Sequence, residues 1–376
     1  MKIILSILVL SFTFQAFAQN PDDLVIAPVS LDPVRPAKYA RSYQDLNGDV
    51  HVMGLFKVSQ QEDGQLVTRA QYEPVFPPAS LNEAIMNAFY SRPGFFIALN
   101  NKVKHVEGTI YTVKMWQSDD DLKTIRETEA KVILPEAGKV DFGEPGEWAG
   151  LVCHRAIIQL DDGSLLAAMY GNFENDTIIP TNTQSKSETK FKLRAFVVSS
   201  NDHGQTWRYR SSVAVPDHNQ PDSSEGFNEW SMVQLDDGRI LAAIRTGHFT
   251  PLVLSYSADQ GRTWSTPVSN PELGPAGCDP YLLKLKDGRI ALAYGEMVQP
   301  TVSDDQYFAN FLEKGDHRRR CRLAISTSPK ADHWQSYNIT GYGSRSAYPT
   351  IFQIQTNLIL YQADLEIYEI HVPFKL

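Results

Sequence analysis

A carboxylate and a guanidinium are placed symmetrically around one tight turn of the sequence. Residues 229–245 contain two apolar runs separated by Asp236-Asp237-Gly238, a pattern that predicts a β-hairpin. Glu229 lies eight residues before Asp237, and Arg245 lies eight residues after it. Opposed residues of an antiparallel pair have Cβ atoms roughly 5 Å apart. The hairpin is therefore expected to hold Glu229 beside Arg245, either as a surface ion pair or as part of a functional site.

Two other hairpins of the same pattern carry ionisable side chains at the same position. Eight residues before the turn stands His154 in one copy, across from Tyr170, and Asp279 in the other, across from Gly295. Histidine beside tyrosine is able to exchange protons near neutral pH, since the ordinary pKa of histidine is about 6.5. Each residue taken singly is also explained as a hydrogen-bonded structural group. Several of them converging on one place predict a functional cleft.

Six segments of the chain repeat this hairpin pattern, and together they indicate the elements that position these side chains. Short apolar alternations, separated by Gly, Asp, Asn and Pro, dominate the sequence and predict an antiparallel all-β protein. A strand near residues 25–29 is expected to pair with the last strands of the chain. The six hairpin segments are residues 46–54, 95–113, 160–170, 235–245, 285–295 and 351–362.

A second motif alternates with the hairpins. Residues 200–207 and 257–264 both fit the pattern S-x-D-x-G-x-T-W, while residues 118–125 are a degenerate copy and residues 326–334 a fainter one. In such a turn the aspartate accepts main-chain N–H bonds and the glycine supplies a positive φ, while the tryptophan packs between sheets. The motif is thus expected to be structural rather than catalytic.

Composition and the N-terminus limit the classes of function. The chain has 376 residues, a net charge of −9, 42% hydrophobic and 21% charged residues, which is typical of a soluble globular protein. The acidic balance argues against nucleic acid as a partner. Residues 1–18 have a charged start, a short apolar run and a small-x-small end, which predict a secretory signal peptide that is too short to span a membrane. We therefore expect an exported, periplasmic or extracellular protein without membrane insertion, in which residues 19–376 form a single domain.

The cysteines are Cys153, Cys278 and Cys321. Three cysteines allow at most one internal disulfide, and their spacing is not that of a metal site. No metal and no cofactor are expected.

The two complete motifs resemble the Asp boxes, or BNR repeats, of the sialidase (neuraminidase) superfamily, and the resemblance covers about residues 35–376. It implies a six-bladed β-propeller with four-stranded antiparallel blades. Each blade would combine one inner hairpin with an outer hairpin closed by an Asp box.

The resemblance also implies roles for individual residues. Sialidases use a tyrosine nucleophile, a glutamate that polarises it, an aspartate acid/base and three arginines that bind the substrate carboxylate. Matching motifs here place Tyr348 as the nucleophile, Glu229 as its base, and Arg245 and Arg92 as substrate-binding arginines. A phenol with a pKa near 10 needs such a base, and arginine binds a carboxylate bidentately.

The sequence departs from the sialidase pattern in two respects. A loop with the catalytic aspartate is not found, and the third arginine has no clear match, with Arg320, Arg322 and Arg345 as candidates. His154 and Asp279 are additional residues of the site, and one of them would replace the missing acid/base.

The function predicted from the sequence is that of a secreted exo-acting glycoside hydrolase that removes a terminal acidic, sialic-acid-like sugar from glycans. One alternative is a lyase or glycosidase acting on uronate-containing polysaccharide through His154 and Tyr170, where Tyr170 is also a substrate-binding candidate. Another is a non-catalytic propeller that binds glycans. The expected partner is an acidic glycan or oligosaccharide, and the sequence leaves the oligomeric state open.

Overall fold

The computed structural model describes residues 24–28, 42–45, 48–52, 56–60, 66–70, 85–90, 94–120, 123–138, 149–180, 191–217, 225–247, 249–297, 319–341, 348–355, 358–363 and 366–372. The regular secondary structure of these ranges consists of β-strands, so the predicted all-β class is confirmed. The predicted signal peptide lies outside the described residues. Within those residues, nothing forms a helix of the length and apolarity needed to cross a lipid bilayer.

The strands are numbered here in chain order. The first twelve are β1 (Val25–Pro28), β2 (Ser42–Gln44), β3 (Val50–Val52), β4 (Phe56–Gln60), β5 (Leu66–Ala70), β6 (Ile85–Tyr90), β7 (Phe96–Glu107), β8 (Ile110–Ser118), β9 (Arg126–Ile133), β10 (Val152–Gln159), β11 (Leu165–Gly171) and β12 (Arg194–Ser200). The others are β13 (Thr206–Ala214), β14 (Asn228–Gln234), β15 (Ile240–Arg245), β16 (Val253–Ser257), β17 (Val268–Ser269), β18 (Ala276–Lys284), β19 (Ile290–Met297), β20 (Arg319–Ser326), β21 (Trp334–Asn338), β22 (Thr350–Gln355), β23 (Leu358–Ala363) and β24 (Glu366–His371).

Four of the sheets have four strands each, in the orders β2-β3-β4-β5, β14-β15-β16-β17, β18-β19-β20-β21 and β1-β24-β23-β22. The six hairpins predicted from the sequence are all present, as the antiparallel pairs β2/β3, β7/β8, β10/β11, β14/β15, β18/β19 and β22/β23. The strand expected near residues 25–29 is β1, which pairs with β24, with Val25 opposite His371.

The remaining strands, β6 to β13, form one sheet and overturn the predicted architecture. Strand β13 pairs in parallel with β9, with Thr206 opposite Lys131, and β10 contacts β7 through Val152 opposite Lys102. The pairings β10-β11-β12-β13-β9-β8-β7 therefore return to β10 and close a seven-stranded barrel, with β6 beside β7. The prediction of a six-bladed propeller with four-stranded antiparallel blades is thus wrong. The physical reason is that β9 and β13 satisfy each other's edge N–H and C=O groups instead of ending separate sheets.

The Asp-box turns form the tight corners that their sequence predicts. In the first box Asp202 accepts the main-chain N–H of Thr206 at 2.8 Å, and Asp259 makes the equivalent bond in the second. Gly204 has a φ of +85°, which an L-residue with a Cβ adopts only with strain. Trp207 is fully buried, but in an apolar cluster formed within the single sheet of β6 to β13 rather than between two sheets. The motif therefore fixes the outer corners of the sheets, and the ends of the inner hairpins carry the candidate chemistry.

Candidate functional site

The three hairpins that carry the predicted site residues share an irregularity at the predicted position. In β14/β15, Asn228 is opposite Arg245 and Trp230 is opposite Ile244, so that Glu229 is an extra, bulged residue. The expectation that Glu229 lies directly opposite Arg245 is therefore wrong by one residue. A bulge bends its strand and redirects the extra side chain, and such bulges are frequent beside active sites.

The same irregularity occurs in the two related hairpins. The register of β10/β11 shifts between Cys153 and Ile157, where His154 lies, and Val152 rather than His154 is opposite Tyr170. The register of β18/β19 shifts between Cys278 and Tyr281 and includes Asp279, so that Cys278 rather than Asp279 is opposite Gly295. Asp279 has a φ of +42°, a left-handed conformation that aspartate tolerates better than most residues. The three bulges turn Glu229, His154 and Asp279 into one cluster.

Tyr348 and Glu229 are joined by a hydrogen bond between their side chains within this cluster. The Tyr348 hydroxyl donates to Glu229 Oε1 at 3.2 Å. The other oxygen, Oε2, accepts the main-chain N–H of Asp279 at 3.1 Å and lies 3.7 Å from Arg245 Nε. The negative charge of Glu229 and, secondly, burial raise the pKa of Tyr348 well above its ordinary value. The phenol of Tyr348 is therefore neutral at neutral pH.

Arg245 is held inside the protein by acidic and amide groups. Its guanidinium donates two hydrogen bonds to Glu225, at 2.7 and 3.1 Å, and one to Asn228 Oδ1 at 3.0 Å. Asn228 in turn donates to Glu225 at 2.7 Å. Burial lowers the pKa of Arg245, but the charges of Glu225 and Glu229 outweigh this and raise it above its ordinary value. Arg245 is thus a cation held in a fixed position, and its Nε lies beside Glu229 Oε2.

Asp279 is the buried anion at the centre of the cluster. Its side chain is fully buried, with His154 Nε2 at 3.3 Å from Oδ1 and Arg155 bound to Oδ2. Burial raises the pKa of Asp279 above its ordinary value, although Arg155 and His154 oppose this shift. The Asp279 carboxylate is therefore engaged by protein groups rather than turned toward solvent.

His154 is likewise engaged on both sides of its ring. It is 1% exposed, and its Nδ1 accepts the main-chain N–H of Trp230 at 3.1 Å. The same Nδ1 lies 3.2 Å from the carbonyl oxygen of Trp230, while Nε2 faces Asp279. The ring meets the edge of Tyr170 with centroids 5.4 Å apart. Burial, followed by the charges of Glu229 and Asp279, raises the pKa of Tyr170 well above its ordinary value.

The structure thus brings together six of the seven residues predicted for the site. They are His154, Tyr170, Glu229, Arg245, Asp279 and Tyr348, and their catalytic and binding roles stay predictions. Arg92 lies outside the described residues, as does Arg345. Arg320 and Arg322 instead contact Glu296, with Arg322 Nη1 at 3.2 Å.

Sequence reasoning missed Arg155, Glu225 and Asn228. Arg155 directly follows His154, but a regular strand would turn it to the opposite face, and only the bulge brings it to Asp279. Glu225 precedes β14, in a segment for which no strand pattern was available. Of the charged residues described in the cluster, the two guanidiniums of Arg155 and Arg245 face three carboxylates, those of Glu225, Glu229 and Asp279. Among all described residues, no group of three or more His, Cys, Asp or Glu is arranged to hold a metal ion.

The three cysteines are buried and carry free thiols. Burial raises the pKa of the Cys153 thiol to about 12. The single disulfide that the sequence allowed is therefore not formed.

Comparison with known proteins identifies a repeat family. Residues 73–360 match the model of the BNR repeat-like domain, and no curated protein sequence matches the chain. A solved structure of a protein of unknown function from Dyadobacter fermentans is similar over 93% of this chain and 91% of its own, with 15% identity and a TM-score of 0.55. The Hadza microbial sialidase Hz136 is similar over 87% of this chain and 60% of its own, with 15% identity and a TM-score of 0.51. At this identity the two structures are evidence for a shared fold.

Proposed function

Since the chain belongs to the BNR repeat-like domain family, we propose that it is a glycoside hydrolase whose reaction depends on Tyr348 and Glu229. The family match confirms the resemblance to Asp-box repeat proteins of the sialidase superfamily that the sequence motifs indicated. The activity itself rests on the geometry of the cluster. The similarity in fold to a solved sialidase is in keeping with it.

The observation that carries the proposal is the hydrogen bond from the Tyr348 hydroxyl to the Glu229 carboxylate, at 3.2 Å. In the proposed first step the phenolic oxygen attacks the anomeric carbon while its proton passes to Glu229. The bond from that carbon to the leaving oxygen breaks, and an acid protonates the leaving group. Water then adds to the anomeric carbon as the bond from that carbon to the tyrosine oxygen breaks. The water gives a proton to the group that protonated the leaving group, and Glu229 returns its proton to Tyr348. The Asp279 N–H and Arg245 hold Glu229 in place for both steps.

The leaving group also needs an acid that protonates it. His154 and Asp279 are the candidates from the sequence, but they are 1% and 0% exposed. A proton donor must come within hydrogen-bond reach of the substrate, directly or through one water. The acid/base role of these two residues stays a prediction, and their geometry fits support of Glu229 and Tyr348 better than direct contact with a sugar.

We further propose that the substrate ends in an acidic, sialic-acid-like sugar. A neutral phenol approaches an anomeric carbon that carries a carboxylate without the repulsion that a charged nucleophile would meet. The described arginines of the cluster are already bound to protein carboxylates. Arg92 is therefore the residue proposed to bind the substrate carboxylate. A glycan substrate outside the cytoplasm also fits the predicted signal peptide. N-terminal sequencing of the exported protein would detect removal of that peptide after Ala18.

The decisive experiment measures hydrolysis of a fluorogenic sialoside by the full chain, with neutral glycosides assayed beside it. Release of the fluorophore from the sialoside alone supports the acidic substrate. Tyr348→Phe is expected to lower kcat by at least about 10⁴-fold, because removal of a nucleophile has cost on the order of 10⁶-fold in a well-studied hydrolase. The matched control is Tyr256→Phe, whose hydroxyl only donates to the Ala331 carbonyl, and its kcat should be unchanged. Full hydrolysis by Tyr348→Phe would remove the nucleophile assignment.

The alternative reactions have their own outcomes in this assay. A lyase that uses His154 and Tyr170 would produce an unsaturated uronate, detected by its ultraviolet absorbance. His154 is 1% exposed and its Nδ1 is bound to the main chain of Trp230, which argues against that reaction. Binding of acidic glycans without any product would instead identify a non-catalytic binding protein.

A further inference from the structure

Arg155 joins three sheets at the candidate site, and the proposed reaction leaves it without a role. It lies in the bulge of β10 and is 4% exposed. Its Nη1 donates to Thr350 Oγ1 at 2.9 Å, and its Nε and Nη2 bind Asp279. The centre of the guanidinium lies 5.9 Å from the ring centroid of Tyr348 and 5.7 Å from that of Tyr281. One buried cation thus contacts the ring of the proposed nucleophile.

These contacts close a circuit around the reactive pair. Arg155 binds the Asp279 carboxylate, and the main-chain N–H of Asp279 donates to Glu229 at 3.1 Å. Glu229 accepts the hydroxyl of Tyr348 at 3.2 Å, and the ring of Tyr348 lies beside Arg155. Because each member fixes the next, loss of Arg155 would release both the ring of Tyr348 and the carboxylate that supports Glu229.

The electrostatic effect of Arg155 on Tyr348 opposes that of the other groups around the phenol. Burial lowers the pKa of Arg155, while the charges of Asp279, Tyr281 and Tyr348 raise it, with a net increase. An interaction that favours the charged guanidinium beside a phenolate favours the phenolate equally. Four groups on other elements act in the other direction and raise the pKa of the Tyr348 phenol, namely Glu229 on β14, Cys278 and Asp279 on β18, and Tyr170 on β11.

We propose that Arg155 is a positioning residue that fixes the ring of Tyr348 against Glu229 and stabilises the phenolate that forms when the proton leaves. It is not a substrate-binding residue, because it is almost fully buried and its Nε and Nη1 donate to Asp279 and Thr350. The consequence for catalysis rests on the proposed function. The effect on the ionisation of Tyr348 does not, since it depends only on the geometry of the circuit.

The experiment measures the ionisation of Tyr348 without any substrate. The full chain is labelled with difluorotyrosine, whose phenol is more acidic, and the fluorine NMR signal that is lost in Tyr348→Phe is assigned to Tyr348. Arg155→Met is expected to move the titration midpoint of this signal upward by about one pH unit or more, as a charge about 6 Å away does at an effective dielectric constant near 20. An unchanged midpoint in a folded Arg155→Met protein would overturn the inference.

Arg194 offers a matched control on the same sheet. It too pairs with a carboxylate, that of Asp176, and lies over an aromatic ring, Phe173, at 4.6 Å. Arg194→Met should leave the Tyr348 midpoint unchanged. A shift as large as that in Arg155→Met would attribute the effect to general loosening of the fold and contradict the specific role.

Two milder variants cover the case in which Arg155→Met does not fold. Arg155→Lys keeps the charge but loses the planar contact, and Thr350→Val removes one hydrogen bond from Arg155 while leaving its charge. Both should move the midpoint upward, by less than the loss of the cation. If neither folded variant moves it, Arg155 has no influence on Tyr348 and the inference fails.

Kinetics separate this role from substrate binding. With the substrate that the wild type cleaves, Arg155→Lys should lower kcat and leave KM nearly unchanged, because Arg155 acts on Tyr348 rather than on the sugar. A raised KM with unchanged kcat would contradict the positioning role. If no glycan is cleaved by the wild type, the proposed function fails while the titration still tests Arg155. If a glycan is cleaved and the titration midpoint does not respond, Arg155 fails and the proposed function stands.

Discussion

Replacement of Asp279 by alanine should lower the free energy of unfolding more than any other single change in the cluster. Asp279 is fully buried and neutralises the equally buried Arg155. Removal of one partner from a buried ion pair costs about 3–5 kcal/mol, because the other charge is left without compensation. Alanine at a φ of +42° adds on the order of 1 kcal/mol, since it tolerates the left-handed region less well than aspartate. We therefore expect a loss of about 4–6 kcal/mol in the free energy of unfolding.

Urea unfolding of the purified full chain measures this loss, and two further variants test its origin. Asp279→Asn keeps a residue that tolerates the backbone conformation, so it should be less destabilising than Asp279→Ala. The double variant with Arg155→Met removes both charges and should be more stable than the sum of the single effects predicts, by about 0.5–3 kcal/mol. Strict additivity would show that Asp279 and Arg155 do not interact.

The matched control is the aspartate of an exposed turn. Asp237 pairs with Arg239 at the surface, where an ion pair contributes about 0–1 kcal/mol. It also accepts the main-chain N–H of Arg239 at 3.1 Å, and such a hydrogen bond contributes roughly 1 kcal/mol, so Asp237→Ala should cost about 1–2 kcal/mol in total. If Asp279→Ala costs no more than Asp237→Ala, the description of Asp279 as the central buried anion is refuted.

Three further outcomes follow from other parts of the structure. Gly226 and Gly238 have φ values of +89° and +84°, but of these two only Gly226 has a main-chain atom 2.3 Å from where a Cβ would lie. Gly238→Ala should lower the free energy of unfolding by roughly 1–2 kcal/mol. Gly226→Ala should lower it several times as much, as measured by urea unfolding. Burial raises the pKa of Asp259, but hydrogen bonds from its turn outweigh this and hold it at about 2, below the ordinary 3.8. Its contribution to stability is therefore present above pH 3.8 and lost as the pH falls toward 2, so that Asp259→Asn should be less stable than the wild type at neutral pH and nearly equal near pH 2. The buried thiols, including Cys153, should resist a thiol reagent in the native protein and react after denaturation; rapid reaction of the native protein would contradict their burial.

The sequence alone determined the local elements of this protein. Turn residues such as Asp236-Asp237-Gly238, with apolar alternation on both sides, specify a hairpin through interactions a few residues apart. For the same reason all six hairpins and the Asp-box turns at Asp202 and Asp259 were predicted correctly. The motif spacing also selected His154, Glu229 and Asp279, and the resemblance to sialidases selected Tyr348. The fold does bring these four residues together.

Only the tertiary structure decided how these elements are joined and which side chains face each other. The parallel pairing of β9 with β13, and the contact of Val152 with Lys102 that closes the barrel, join strands far apart in the chain. No local pattern specifies such pairings, and the prediction of separate four-stranded blades failed there. The bulges at the site were likewise not predictable from local patterns. One extra residue in a strand moves the side chains that follow to the other face of the sheet. That shift placed Asn228 opposite Arg245 and allowed Glu229 to accept the hydroxyl of Tyr348. It also brought Arg155 to Asp279. The arrangement at the site therefore depends on the register of the folded sheets.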